Sequence, residues 1–229
     1  MLAAAGQAFR ELFTRPFRSV LWKCVGFTIG LLALLVIAIE WTFSHFVQWQ
    51  GWIETTIEWL GGFALVVGSI FLIPPVTSLI AGLYLDDIAA EVERTDYPSD
   101  PPGRELPPLQ AVGLAAKFFF VVLAVNILAL FLLLIPGVNV IAFYLGNGYL
   151  LGREYFELAA MRHLPVEEAK RLRKANVGYV SLCGLIIAVI ASVPILNLIT
   201  PLFATAFMVR IYKDLAARAR PRLAPRPVS

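Results

Sequence analysis

The stretch "LLLIPGVNVIAFYLGNGYLLG", Leu132 to Gly152, decides how the chain is read. It is almost wholly apolar and carries no charge, yet Pro136-Gly137 sits inside it, followed by Asn139 and Asn147. A plain membrane span needs neither a helix breaker nor two amides. Proline removes a backbone donor and bars its predecessor from the helical path. The segment therefore reads as a helix that stops and turns round.

Composition sets the class in which this reading belongs. The chain has 229 residues, of which 59% are hydrophobic and 15% charged. Soluble domains carry roughly 25% charged residues. The apolar residues also fall in long uncharged runs, which points to an all-α integral membrane protein of one domain. The first run follows several basic residues and is too long for a signal peptide, so it is expected to stay as a span. Cys24 and Cys183 both lie in apolar runs and are expected to be free thiols.

Val20 to Ile39 carries only Lys23, and Leu60 to Leu85 contains Pro74-Pro75. Each suits one span, since a helix rises ~1.5 Å per residue and the hydrocarbon is ~30 Å thick. The first span is set at residues 19–40 and the second at 60–94, its polar end "DDIAAEVER" standing out of the membrane. Phe118 to Gly152 and Ala175 to Val209 are uncharged throughout, and each breaks near its middle, at Pro136 and at Pro194. The arms after the breaks would reach only about 20 Å. Hemi-penetrating hairpins over 118–152 and 176–210 follow, with two tight full spans in each block as the other reading. Backbone freed at such tips needs partners, because lipid supplies none. Asn139 and Asn197 each stand three residues after a proline and are placed to help.

The two blocks echo each other. "IPGVNVI" (Ile135 to Ile141) matches "VPILNLI" (Val193 to Ile199), and "REYFELAA" (Arg153 to Ala160) matches "RIYKDLAA" (Arg210 to Ala217). A fainter echo is "LYLDDIAA", Leu83 to Ala90. Such repeats occur in transporters and also arise from simple duplication. An interfacial helix is expected over 1–15, with Leu2, Phe9, Leu12 and Phe13 near one face. A cytoplasmic helix is expected over 165–175, acids early and bases late, and a basic tail over 218–229. The segment from Glu40 to Trp59 has no Lys or Arg. With both hairpins returning to their starting side, every basic residue lies on one side, which places both termini in the cytoplasm.

No enzyme or cofactor motif is present, and no nucleic-acid partner is expected. His45 and His163 lack metal-ligand spacing, and there is no glycine-rich phosphate loop. Anion handling is the sharper idea. Arg15 and Arg18 flank the start of the first long helix, where free N–H groups and the positive dipole end favour an anion. The competing reading has them anchor the span to headgroups. Further polar candidates along a pathway or at the hairpin tips are Asn126, Asn139, Asn147, Asn197, Arg153, Glu154 and Arg210. The amides could guide an anion or simply satisfy hairpin backbone, and Arg153, Glu154 and Arg210 could line an intracellular mouth, pair locally or snorkel.

The order "RPFRSVLWK", "IPPVTSLIAGLYLDDIAAEVE", the proline hairpins, "GREYFELAAMRH" and "TPLFATAFMVRIYKD" resembles the CysZ-type sulfate permease family, the bacterial branch of the etoposide-induced-protein-like membrane domain. The resemblance implies two long spanning helices, two hemi-penetrating hairpins and a homo-oligomer. It also implies a bacterial inner-membrane protein that passes sulfate inward for cysteine synthesis. In that family a glycine, an aliphatic residue and usually two arginines precede the first span and bind sulfate. Here the stretch reads Pro16-Phe17-Arg18-Ser19. Arg18 is the position that matches, with Ser19 as a hydroxyl donor and Arg15 nearby. A permease for another small anion and a non-transporting membrane scaffold are the alternatives.

Overall fold

The computed structural model describes residues 1–46, 84–105 and 138–223, with residues 77, 80, 81 and 107. Every regular element among them is a helix. In chain order these are α1 (Leu2–Glu11), α2 (Arg15–Phe46), α3 (Leu85–Asp96), α4 (Val138–Met161), α5 (Val166–Ala175), α6 (Val177–Ala191), α7 (Pro194–Asn197) and α8 (Thr200–Leu223). Residues 60–76 of the second span set at 60–94, the first arm of the 118–152 hairpin and Asn126 lie outside the described residues.

α2 is the one described helix long and apolar enough to cross a membrane by itself. Its 32 residues reach about 48 Å. Its outward faces are apolar: Phe27, Ile29, Leu31, Leu34, Leu35 and Ile37 are all exposed. In a soluble protein such a surface would be a liability; against lipid it is the ordinary state. Thr28, buried inside α2, donates to the Cys24 carbonyl at 2.8 Å and accepts a 2.9 Å bond from the Thr77 hydroxyl. That bond ties α2 to the chain just before α3.

The core sits around α8. Every residue from Thr200 to Lys213 is buried, and α1, α3, α4 and α6 all pack against this helix. α4 and α6 form the tightest pair and run antiparallel, Gly148 lying against Leu185 and Gly152 against Val180. A Cβ on Gly184 would sit 1.9 Å from the Gly148 carbonyl oxygen and 2.4 Å from the Gly152 nitrogen. Only glycine allows the two backbones to come so close.

The Val193–Pro194 break is present. Val193 is extended at φ −94° and ψ 115°, as a residue before proline must be, and separates α6 from α7. α5 meets α6 at a 91° bend. The first span, set at 19–40, runs from Arg15 to Phe46, and the interfacial helix set at 1–15 ends at Glu11. Two later segments also run longer than the sequence reading drew them. α4 continues through residue 152 to Met161, and α8 passes Arg210 without a break. The basic tail set at 218–229 is therefore helical as far as Leu223. Local i,i+4 pairing of Arg218 with Asp214 at 2.7 Å suits that extension.

Candidate functional site

The start of α2 is built from Thr14, Arg15, Pro16 and Phe17. The Arg18 N–H donates to the Thr14 carbonyl at 3.0 Å and closes the first helical turn. The Thr14 N–H is taken by the Glu11 carbonyl at 2.8 Å, and Pro16 has none to offer. This leaves Arg15 and Phe17 as the backbone donors of that turn. Phe17 is buried and pins the turn to the core. Arg15, Arg18 and Ser19 are exposed. Arg15 and Arg18 stand three residues apart, on one side of the helix. Neither guanidinium has a carboxylate partner among the described residues.

The other candidates do not gather around these arginines. The Asn139 side chain lies outside the described residues. Asn147 donates to the Phe143 carbonyl of its own helix at 2.9 Å. Asn197 is half-buried, and its backbone N–H reaches the Val193 carbonyl at 2.8 Å. Hydroxyls serve the break instead. Ser192 donates to the Val189 carbonyl at 2.7 Å and accepts from Tyr144 at 3.2 Å, and Thr200 donates to the Leu196 carbonyl at 3.1 Å. Arg153 lies 3.7 Å from Glu157, which also holds Arg173 at 2.6 Å. Glu154 is half-buried beside them. Arg210 is buried on α8 between Glu11 of α1 and Asp96 of α3.

The most recognisable motifs turn out to build a buried ionic layer, which the sequence reading missed. Arg162, from "GREYFELAAMRH", donates to Glu93 through Nε at 3.0 Å and Nη2 at 3.2 Å, and also to Asp86. Both acids come from the stretch that opens "IPPVTSLIAG". His163 Nε2 lies 2.9 Å from Glu93, its ring stacked on Tyr212 with centroids 5.3 Å apart. The Gly103 N–H completes the set at 3.0 Å. A Cβ on Gly103 would lie 2.8 Å from both Arg162 Nε and Glu93 Oε1, so the close approach requires glycine. Burial alone would push the Glu93 carboxyl up. The bonds from His163 and Arg162, with the Arg162 charge, outweigh burial and bring it down to about 2. Lys213 of α8 reaches Asp100 at 3.0 Å and lies over the Tyr97 ring. The signal available in sequence was the alternation of acids and bases between motifs far apart in the chain; nothing local states which acid meets which base.

Among the described residues no group of His, Cys, Asp or Glu could hold a metal ion. Cys24 and Cys183 are buried and free. Chemically the site offers exposed guanidiniums at a helix start.

No curated protein matches the chain. A family profile described as "Sulfate transporter CysZ/Etoposide-induced protein 2.4" matches residues 4–201, which takes in α1, α2 and the helices up to the start of α8. With most of its length matched, and an all-helical fold carrying a membrane-capable helix, the chain belongs to the CysZ/etoposide-induced protein family of membrane proteins.

Proposed function

We propose that the protein is a bacterial inner-membrane permease or channel for sulfate, acting as a homo-oligomer with both termini in the cytoplasm and supplying sulfate for cysteine synthesis. The observation that carries the reading is a contrast among the cations. Arg162, Arg173, Arg210 and Lys213 are buried and bound to carboxylates, whereas Arg15 and Arg18 at the start of α2 are exposed and hold none among the described residues. A tetrahedral dianion suits two guanidiniums, the dipole end of a long helix and the Ser19 hydroxyl. The family to which the chain belongs supports the same substrate.

The test is uptake of radiolabelled sulfate into liposomes holding the purified protein, with Arg18→Ala beside it. Losing one charge-assisted contact of about 1.5–3 kcal/mol should weaken sulfate binding by ten-fold or more. Binding unchanged in Arg18→Ala would place the anion elsewhere. Pro16 and Ser19 favour a second reading, a permease for another small anion. Pro16 removes a backbone donor and Ser19 stands where a second guanidinium would hold a dianion. Competition of sulfate uptake by sulfite, thiosulfate and small organic acids separates the two.

A further inference from the structure

We infer that α1 and the turn after it form a docking surface for anionic phospholipid headgroups, with Phe9 and Phe13 in the headgroup layer and Arg10 on the lipid phosphate. The inference goes beyond the anion reading. It rests on the membrane character of the chain and not on which solute is moved.

α1 has two sides with different fates. Ala8 and Leu12 are buried against the core, and Glu11 reaches in to Arg210. The opposite side carries Leu2 at 76% exposure, Phe9 at 38% and Phe13 at 66%. Phe9 and Phe13 touch edge to face with centroids 5.8 Å apart, so they present one aromatic knob. A helix clamped on one side and apolar on the other has an unfilled contact.

Two observations name the occupant. The first is depth. Trp22 and Trp41 are exposed on α2, at 66% and 59%, with Lys23 and Glu40 next to them and only apolar large side chains exposed between those two charges. They are 19 residues apart in sequence. That is about 28 Å along a helix, close to the hydrocarbon thickness, and tryptophan marks both bilayer boundaries. Arg15 then lies about 10 Å outside the Trp22 boundary, among headgroups, and α1 joins α2 at that level. The second is charge. From residue 1 to residue 23 the cations are Arg10, Arg15, Arg18 and Lys23, all exposed, against Glu11 alone. Glu11 is spent on Arg210. The outer side of the elbow is cationic and aromatic together, which matches an anionic leaflet.

The test uses the full chain with Cys24→Ala and Cys183→Ala, so that a single new thiol can be labelled. Phe13→Cys carries an environment-sensitive fluorophore, and Leu34→Cys on α2 serves as the embedded control. Both are placed in nanodiscs of phosphatidylcholine with and without phosphatidylglycerol, using lipids brominated along the acyl chain as quenchers. The control should be quenched in every disc. The Phe13 label should be quenched more strongly once phosphatidylglycerol is present. Arg10→Gln should raise the phosphatidylglycerol fraction needed for half-maximal quenching about fivefold. A label with water-like emission overturns the inference. So does a blue-shifted but unquenched label, which would mean that protein covers this side. Quenching equal in both lipids and indifferent to Arg10→Gln overturns it as well. Each result leaves the Arg18 test of sulfate binding standing on its own.

Discussion

Glu93 shows how much one side chain carries. Four N–H donors converge on it from Arg162, His163 and Gly103, and its side chain is only 6% exposed. Glu93→Gln keeps the volume and removes the charge that balances Arg162. Breaking a buried pair from one side costs about 3–5 kcal/mol, so the melting temperature of the detergent-purified protein should drop sharply. Gly103→Ala should lower it too, by driving a methyl group into the same pair. The acid limb follows from the sign of the shift. The folded carboxyl titrates near 2, below its ordinary value of 4.5. Its contribution is therefore complete above about pH 4.5 and is lost as pH falls toward 2. Melts recorded at neutral pH and down through this range should show wild type losing stability where Glu93→Gln loses less.

Between helices the decisive contact is between α4 and α6. Gly184→Ala places a methyl group against the backbone of Gly148 and Gly152, which no rotamer can relieve. It should reduce the yield of monodisperse protein on size-exclusion chromatography. Gly26→Ala on α2, where nothing lies within 4 Å, should leave it unchanged. Some of this architecture was legible in the chain. Pro194 forces Val193 to be extended, and α5 announces itself with Glu167 and Glu168 in its first turn and Arg173 and Lys174 in its last. These are local rules, satisfied within a few residues. The Gly184 contact was not legible, because a glycine in a helix becomes a packing site only once its partner's face is known. The pairing of Glu93 with Arg162 spans 69 residues and has no local signature. Of the candidate site, the position of Arg15 and Arg18 at the exposed start of α2 was legible, because it follows from their place before an apolar run. That Arg210 pairs with acids was one of the readings open to it; which acids was not legible, because Glu11 and Asp96 come from α1 and α3.

Across the molecule, α8 is the hub and its cations are the rivets. Arg210 is 4% exposed and bound by Glu11 and by Asp96 at 2.5 Å, while its η1 nitrogen donates to the Ala206 carbonyl at 2.8 Å. Arg210→Gln would leave two partly buried carboxylates without their cation and should destabilise the fold by several kcal/mol. Arg218→Gln, on the same helix but 66% exposed, should cost at most about 1 kcal/mol. Comparing the two variants by thermal aggregation checks the claim, because both remove one arginine. The burial of α8 also bears on how the protein is made. Synthesis runs from the N-terminus, so α1, α3, α4 and α6 leave the ribosome before the helix they surround. Until Arg210 and Lys213 emerge, Glu11, Asp96 and Asp100 have no cation from α8 to meet. A nascent chain arrested before Thr200 should be digested readily by protease where it stands outside the membrane, and one extended past Leu223 and clear of the ribosomal tunnel should resist. Assembly of this fold is then an event of late translation, and the membrane insertion machinery must hold the earlier helices until the last one arrives.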